Sequence, residues 1–308
     1  LCYLKMGIKG YLVSMIVSRL VTALLACCFG TVVKDLRKAR YDKVLLKEMV
    51  RYSVPLIANA VSWWVINSSD KLMLESMLGE SDLGLYTAAT KLPSFLNLFT
   101  SIFSQAWMIS SIREYGSDDQ KTFYSKVFKY YSVFIIGIGM GINMFIKLIM
   151  SVYVGKEFIE AWTTVPMLML SAMLAAFSSF LGSMYGAFRK SKNVMVTTLC
   201  GGIVNIVLNF CLIPRLGGLG AAIATMISYL FIVILRMIDV NRETKINYSL
   251  KVFIPVFILA LVQGIAITCD FMRIQISLIA IACVLFMIRK DIKMLMGIAK
   301  KMVSSRRK

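Results

Sequence analysis

The chain has 308 residues, of which 58% are hydrophobic, and its formal net charge is +19. A mean hydropathy of +0.75 excludes a soluble globular domain, because such a domain would expose far more apolar surface than water tolerates. The sequence holds no histidine, and its seven cysteines form no CxxC pair. We therefore predict no metal site, no cofactor and no histidine-based catalysis.

Long apolar stretches dominate the sequence from its start almost to its end. A hydrocarbon core of about 30 Å needs roughly 20 helical residues. None of the stretches alternates as a strand would, and a backbone in lipid satisfies its own hydrogen bonds within helices. The sequence predicts an all-α, polytopic transmembrane bundle of about nine spans, at residues 11–33, 50–71, 84–112, 127–150, 161–187, 194–213, 218–238, 252–269 and 274–288.

Lysine and arginine are distributed unevenly over the loops between these stretches. Alternate loops hold 26 of the 35 basic residues, and the loops on the opposite side hold seven. Because short cytoplasmic loops retain positive charge, the N-terminus is predicted outside and the C-terminus in the cytoplasm. The basic residues are dispersed and lack an accompanying aromatic-basic motif, so no nucleic-acid partner is predicted. The basic loops are 34–51, 113–129, 189–192, 236–251 and 289–308.

The second span carries a narrow polar face. Asn59, Trp63, Asn67 and Asp70 follow one another at i, i+4, i+8 and i+11, which places them on one side of a helix. Asp70 and Lys71 are expected at the outer end of this span as an interfacial charge pair. Asn59 lies deeper, where a buried amide needs a partner helix or cavity water.

The third span carries a broader polar face, which predicts a helix that lines water or a polar cavity. In the alternative interpretation, the small hydroxyls pack against neighbouring helices and Lys91 extends towards the headgroups. The side chains that fall on an arc of about 140° are Thr87, Thr90, Lys91, Ser94, Asn97, Ser101, Ser104 and Gln105.

Two cations, Arg19 and Lys91, lie within predicted spans. Arg19 is at a comparable depth to Lys91, and its aliphatic stem could also reach the headgroups. No Asp or Glu is expected near the middle of a span, which disfavours a proton-coupled pump for cationic drugs. Cations without carboxylates favour an anionic substrate. The pair Asn205 and Asn209 on the sixth span is expected to form interhelical hydrogen bonds.

A short internal repeat links the first and seventh spans. Gly7, Gly10, Ser18 and Leu20 recur 210 residues later at 217, 220, 228 and 230. Such repeats are typical of transporters whose two halves rock against each other. Because the sequence begins with Leu and no signal peptide precedes the first span, we expect a chain that lacks the start of a longer protein.

The segment RYSVPLIANAVSWWVINSSDKLMLESMLGESDLGLYTAATKL at 51–92, followed by SQAWMISSIREY at 104–115, resembles the polysaccharide flippases of the MOP exporter superfamily. These Wzx-like proteins move lipid-linked oligosaccharides across bacterial inner membranes. In that family the first helices of each half line a central cavity, a position that the second and third spans match. The resemblance implies four parts: the last helix of the first half with its linker (1–49), a second six-helix half (50–238), two additional spans (239–291) and a basic cytoplasmic tail (292–308).

The resemblance also implies a function. A multi-pass protein of the inner membrane, with no catalytic residues and no enzyme activity, would translocate polyprenyl-diphosphate-linked oligosaccharides across the lipid bilayer by alternating access. Other polysaccharide assembly proteins would be its partners. The alternatives are a drug or metabolite antiporter of the same superfamily and a membrane polysaccharide polymerase or ligase. The candidate substrate-binding residues are Lys91 and Arg19 for the diphosphate, and Asn59, Asn67, Ser94, Ser101 and Gln105 for the sugars.

Overall fold

The computed structural model describes residues 7–29, 41–287 and 289, so the tail predicted at 292–308 lies outside the described residues. All regular secondary structure in the described part of the chain is helical, and an all-α membrane bundle is confirmed. The number of spans and their orientation stay predictions. The helices are α1 (Gly7–Phe29), α2 (Lys43–Leu78), α3 (Glu80–Ala89), α4 (Lys91–Glu114), α5 (Gln120–Met144), α6 (Ile146–Tyr153), a 3₁₀ helix (Lys156–Thr163), α7 (Val165–Ala187), α8 (Ser191–Thr244), α9 (Leu250–Thr268) and α10 (Arg273–Met287).

The chain divides into two compact units, residues 1–51 and residues 52–308. The first unit contains α1, and the second contains every helix from α3 onwards. Among the residues that the structure describes, five segments are long and apolar enough to cross a membrane: residues 12–29 of α1, and the helices α5, α7, α8 and α9. The domain boundaries predicted after residues 49, 238 and 291 stay predictions.

The helices of the structure differ from the predicted spans at two breaks. The third predicted span, 84–112, is interrupted at Thr90, where α3 ends and α4 begins. Pro93 explains this break, because its ring clashes with the carbonyl of the residue four positions earlier, Ala89, and so opposes a continuous helix. The polar face expected on one straight helix is therefore divided between α3 and α4.

The helix α8 covers the sixth and seventh predicted spans and bends sharply between them. Gly217 has φ 56° and ψ −137°, a left-handed conformation that favours glycine. The two arms, residues 191–216 and 218–244, lie close together beyond the bend: a Cβ on Gly220 would collide with the carbonyl of Leu212. This bend brings side chains of both arms to one site.

The central helix of the second unit is α7, which packs against α4, α5, α8 and α9. Most of its side chains are buried. Aromatic rings join it to α4, since the ring centroids of Trp107 and Phe180 lie 4.5 Å apart and the Trp107 indole N–H donates to the Phe180 carbonyl. This core fixes the position of α7, whose opposite face carries small residues.

Candidate functional site

One face of α7 is lined by small side chains along most of its length. Residues spaced by three or four positions fall on one face of a helix, and those on this face leave open space beside them. The face lines two cavities of about 230 Å³ and about 350 Å³, which we call the first and second cavity. Its residues are Leu168, Ser171, Ala172 and Ala175 in the first cavity, and Ser179, Gly182, Ser183 and Gly186 in the second.

The polar face predicted on the second span lines both cavities from α2. Asn67 and Asp70 face the first cavity, and Asn59 faces the second. Trp63 lines both, so the two cavities share this residue of α2. The cavities therefore follow one another along α2 and α7.

The polar face of α4 contributes to the same space. Ser94 and Asn97 line the first cavity, and Met108 lines the second. Between these positions, the hydroxyl of Ser104 lies 3.4 Å from that of Ser179 on α7. The expectation of a cavity beside the third span agrees with this placement of Ser94 and Asn97.

Asp70 lies at the centre of a buried hydrogen-bond network beside the first cavity. Its Oδ2 accepts hydrogen bonds from Tyr86 (2.7 Å) and Thr225 (2.6 Å). Its Oδ1 accepts from Asn209 (2.6 Å) and, more weakly, from Asn205 (3.3 Å). The network joins α2, α3 and both arms of α8, and the interhelical role predicted for the two asparagines is confirmed.

This position of Asp70 corrects the expectation of an interfacial charge pair. Its exposed fraction is 3%, because α2 continues to Leu78 and the side chains of Tyr86 and Thr225 cover the carboxylate. Asp70 is therefore a carboxylate buried between helices, and the expectation that no Asp or Glu lies near the middle of a span stays a prediction. A buried carboxylate is costly unless hydrogen bonds satisfy its oxygens, and both oxygens here are satisfied.

The network brings together three types of oxygen that can bind a small cation. Carboxylate, amide and hydroxyl oxygens are the ligands that hard cations prefer, and Asp70, Asn209 and Thr225 supply all three types. The Oδ1 atom of Asn209 is buried without a hydrogen-bond partner in the structure. Across the described ranges, no group of three or more His, Cys, Asp or Glu residues is placed to hold a metal ion.

Arg236 is the buried charge of the second cavity. Its Nη1 donates to the carbonyl (2.6 Å) and hydroxyl (3.1 Å) of Ser178, its Nε to Thr197 (3.1 Å) and its Nη2 to Thr198 (2.8 Å). Thr198 in turn donates to Oδ1 of Asn59. Arg236 therefore ties α7 to both arms of α8 and, through Thr198, to α2.

Arg236 was expected in the cytoplasmic loop 236–251, and the structure corrects that assignment. The helix α8 continues to Thr244, and the exposed fraction of Arg236 is 5%. The basic residues that follow it along the chain made this position resemble a loop in the sequence. Gly182 makes the burial possible, because a Cβ at residue 182 would lie 2.5 Å from Nη1 of Arg236.

The predicted site residues are distributed over several places. Asn67 and Ser94 come together in the first cavity, and Asn59 lines the second. Ser101 and Gln105 are exposed on α4 and line neither cavity.

Of the two predicted cations, Lys91 lines neither cavity and Arg19 belongs to the first unit. Lys91 lines a separate open depression with Glu75, Glu80 and Phe158. Arg19 is exposed on α1, in the first unit. Sequence reasoning missed Arg236, Tyr86 and Thr225. Asn205 and Asn209, four residues apart in an apolar stretch, were the one signal of the Asp70 network.

Solved structures with a similar fold are all transporters by their titles. The lipid II flippase MurJ, in an inward closed conformation, matches with a TM-score of 0.59 and 16% identity, over 86% of this chain and 60% of MurJ. A multidrug resistance MATE family transporter of the MOP superfamily, in an outward-facing conformation, matches with a TM-score of 0.51 and 19% identity, over 70% of this chain and 52% of that chain. A MOP superfamily transporter from Pyrococcus furiosus matches with a TM-score of 0.51 and 20% identity, over 71% and 51%.

These likenesses show the fold: the molecule is a multi-pass helical membrane protein whose fold is similar to that of these three structures. The chain spans 60% or less of the length of the three solved structures. No curated protein matches it in sequence. Residues 3–163 match the family model described as "Polysaccharide biosynthesis protein", and the chain belongs to that family.

Proposed function

We propose that this protein translocates polyprenyl-diphosphate-linked oligosaccharides across the bacterial inner membrane, for surface polysaccharide biosynthesis, by alternating access. The headgroup would pass through the polar cavities while the polyprenyl tail stays in lipid. The family match and the MOP fold support a transporter in polysaccharide biosynthesis. The substrate itself is the proposed part.

The observation that carries this proposal is the set of polar side chains that α2 and α7 present to the two cavities. The first and second cavities share Trp63 as a lining residue, so in this proposal the headgroup passes from one cavity to the other beside its indole ring. Hydroxyl and amide side chains such as Asn67, Ser94 and Ser179 line the cavities, and such groups suit sugar hydroxyls. A carrier has to release its cargo, and several weak hydrogen bonds permit release more readily than a few strong ones.

Within this proposal, the sugar contacts come from Asn59, Asn67 and Ser94, which line the cavities. Ser101 and Gln105, exposed on α4, would contact the headgroup from the open side of that helix. Lys91 and Arg19 would attract the diphosphate to the protein. Lys91→Ala should abolish export of the polymer without reducing membrane insertion, and Lys91→Arg should preserve part of it.

Transport in proteoliposomes tests the function. The expected result is movement of a labelled polyprenyl-diphosphate oligosaccharide across the membrane, measured by its accessibility to an added glycosidase. Liposomes that carry an Asn59→Leu, Asn67→Leu double variant should lose most of this activity. Equal movement of the labelled lipid in protein-free liposomes and in liposomes with the wild-type chain would contradict the proposal.

A second candidate, a drug or metabolite antiporter of the same superfamily, is favoured by one specific observation. A coupled antiporter needs a buried group that can bind a cation, and Asp70 is such a group. Transport of a cationic dye without transport of the labelled lipid would select this candidate. A polymerase or ligase is disfavoured, because no connection between α2 and α10 exceeds five residues, which leaves little room for a catalytic domain.

A further inference from the structure

The guanidinium of Arg236 is a buried positive charge whose hydrogen-bond acceptors are all neutral. These acceptors are the carbonyls of Ser178 and Val194 and the hydroxyls of Ser178, Thr197 and Thr198. In the described part of the chain, no carboxylate lies within 4.0 Å of it. A buried cation normally has an anionic partner, because desolvation of the charge is costly. The described residues supply no such partner.

The nearest acid along the helix is already engaged elsewhere. Asp239, three residues after Arg236 on α8, accepts a hydrogen bond of 2.8 Å from the side chain of Asn193. Removal of Asp239 from that partner would leave the Asn193 amide unsatisfied. The positive charge beside the second cavity therefore stays uncompensated in this conformation.

One hydrogen-bond contact of the Arg236 guanidinium is much longer than the others. Guanidinium has five N–H donors. The contact from Nη2 to the carbonyl of Val194 is 3.5 Å long, at the limit of a hydrogen bond. Both Val194 and Arg236 line the second cavity. An anionic oxygen in the cavity could take over this donor without breaking the shorter bonds.

The second cavity has a suitable size and lining for a phosphate group. Its volume of about 350 Å³ lies in the range of roughly 300–1,000 Å³ that small-molecule sites occupy. Asn59 and Ser179 also line it, and their amide and hydroxyl groups can donate to phosphate oxygens. The guanidinium group is the side chain best matched to phosphate geometry.

We propose that the second cavity binds a phosphate or diphosphate group against Arg236. This inference rests on the proposed function, since it assigns the anionic part of the lipid-linked substrate to one residue and one cavity. It also differs from the sequence-based expectation, which gave this role to Lys91 and Arg19. Free phosphate and a lipid diphosphate both present anionic phosphate oxygens, and these oxygens are what Arg236 would bind.

Binding to the purified chain in nanodiscs tests the proposal, with farnesyl diphosphate and farnesol as probes. We expect the diphosphate to bind at least tenfold more tightly than the alcohol. Arg236→Met should remove this preference, and Arg236→Lys should keep part of it. The matched control is Arg242→Met, which removes the same charge from an exposed position on the same helix and should leave the preference unchanged.

A second pair of variants keeps Arg236 and its hydrogen bonds intact. Ser179→Asp places a negative charge in the second cavity and should weaken farnesyl diphosphate binding at least fivefold relative to Ser179→Asn. Both variants should unfold at the temperature of the wild-type chain. This pair decides the question if Arg236→Met does not fold.

The outcomes separate the possible sources of the anion and the two proposals. Competition by inorganic pyrophosphate would show that the free anion suffices, whereas a diphosphate preference without such competition would assign the site to a lipid headgroup. Equal affinity of the wild-type chain for the diphosphate and the alcohol would overturn the proposal. Transport of the labelled oligosaccharide with no effect of Arg236→Met on binding would reject this site and leave the proposed function standing. Binding that depends on Arg236 without transport would do the reverse.

Discussion

The two cavities hold buried charges of opposite sign, and the same principle stabilises both. In the first, the Asp70 carboxylate accepts hydrogen bonds from neutral hydroxyls and amides. In the second, the Arg236 guanidinium donates to neutral hydroxyls and carbonyls. The bundle thus holds the Asp70 carboxylate and the Arg236 guanidinium without a direct ion pair between them. Such a pair would neutralise both charges. Groups held in this way stay available to bind an ion or a charged ligand.

Among the variants that test the two buried charges, removal of the Asp70 side chain is expected to lower the free energy of unfolding most. Asp70→Ala would leave the hydroxyls of Tyr86 and Thr225 buried without an acceptor, and Asn209 would keep only its contact with Oδ1 of Asn205. The expected destabilisation is about 3–5 kcal/mol, as for the loss of one partner from a buried charged network. Thermal unfolding in detergent measures it.

Glu75→Ala, on an exposed position of the same helix, serves as the control and should change stability by less than about 0.5 kcal/mol. Asp70→Asn keeps the shape of the side chain and should cost less than Asp70→Ala. If Asp70→Ala is no less stable than Glu75→Ala, the network does not stabilise the bundle.

An intermediate effect is expected from Gly182→Ala at the second cavity. The new methyl group would collide with Nη1 of Arg236, and this overpacking should cost about 1–3 kcal/mol. Gly186→Ala is the matched control, because it lines the same cavity and its Cβ would meet no atom within 4 Å. Equal unfolding temperatures of the two variants would show that Arg236 is not held against Gly182.

The smallest effect is expected at a surface ion pair outside both cavities. Lys147 Nζ lies 2.8 Å from Asp270 Oδ2, and its hydrogen bond lowers the pKa of the Asp270 carboxyl. A lowered folded-state pKa stabilises the fold above the ordinary pKa of Asp, and this contribution is lost as the pH falls through the lowered value. Asp270→Asn should therefore destabilise the protein slightly at pH 7, and the difference should vanish in strong acid. A difference that is independent of pH would exclude the carboxylate as its cause.

The sequence predicts the helices and the polar face of α2 well, because both depend on local periodicity. Asn59, Trp63 and Asn67 repeat at helical spacing, and all three line the cavities. The break at Thr90 was missed, since hydropathy stays high across it. Pro93 was the available signal of that break.

The two buried charges could not be placed from one sequence for a different reason. Asp70 ends an apolar stretch and Arg236 begins a basic one, so each resembled an interfacial residue. Their burial depends on distant partners: Thr225 is 155 residues from Asp70, and Ser178 is 58 residues from Arg236. Such contacts follow from the bend at Gly217 and from the packing of α7, which local patterns do not specify.

The central claim is that water and polar groups enter the cavities along α2, α4 and α7. Cysteine substitution in a background without the native cysteines, followed by a membrane-impermeant thiol reagent, tests it most directly. Asn97→Cys and Ser179→Cys, which line the first and second cavity, should react at least tenfold faster than Ile109→Cys on the apolar, exposed face of α4. Equal reaction rates at all three positions would contradict the account.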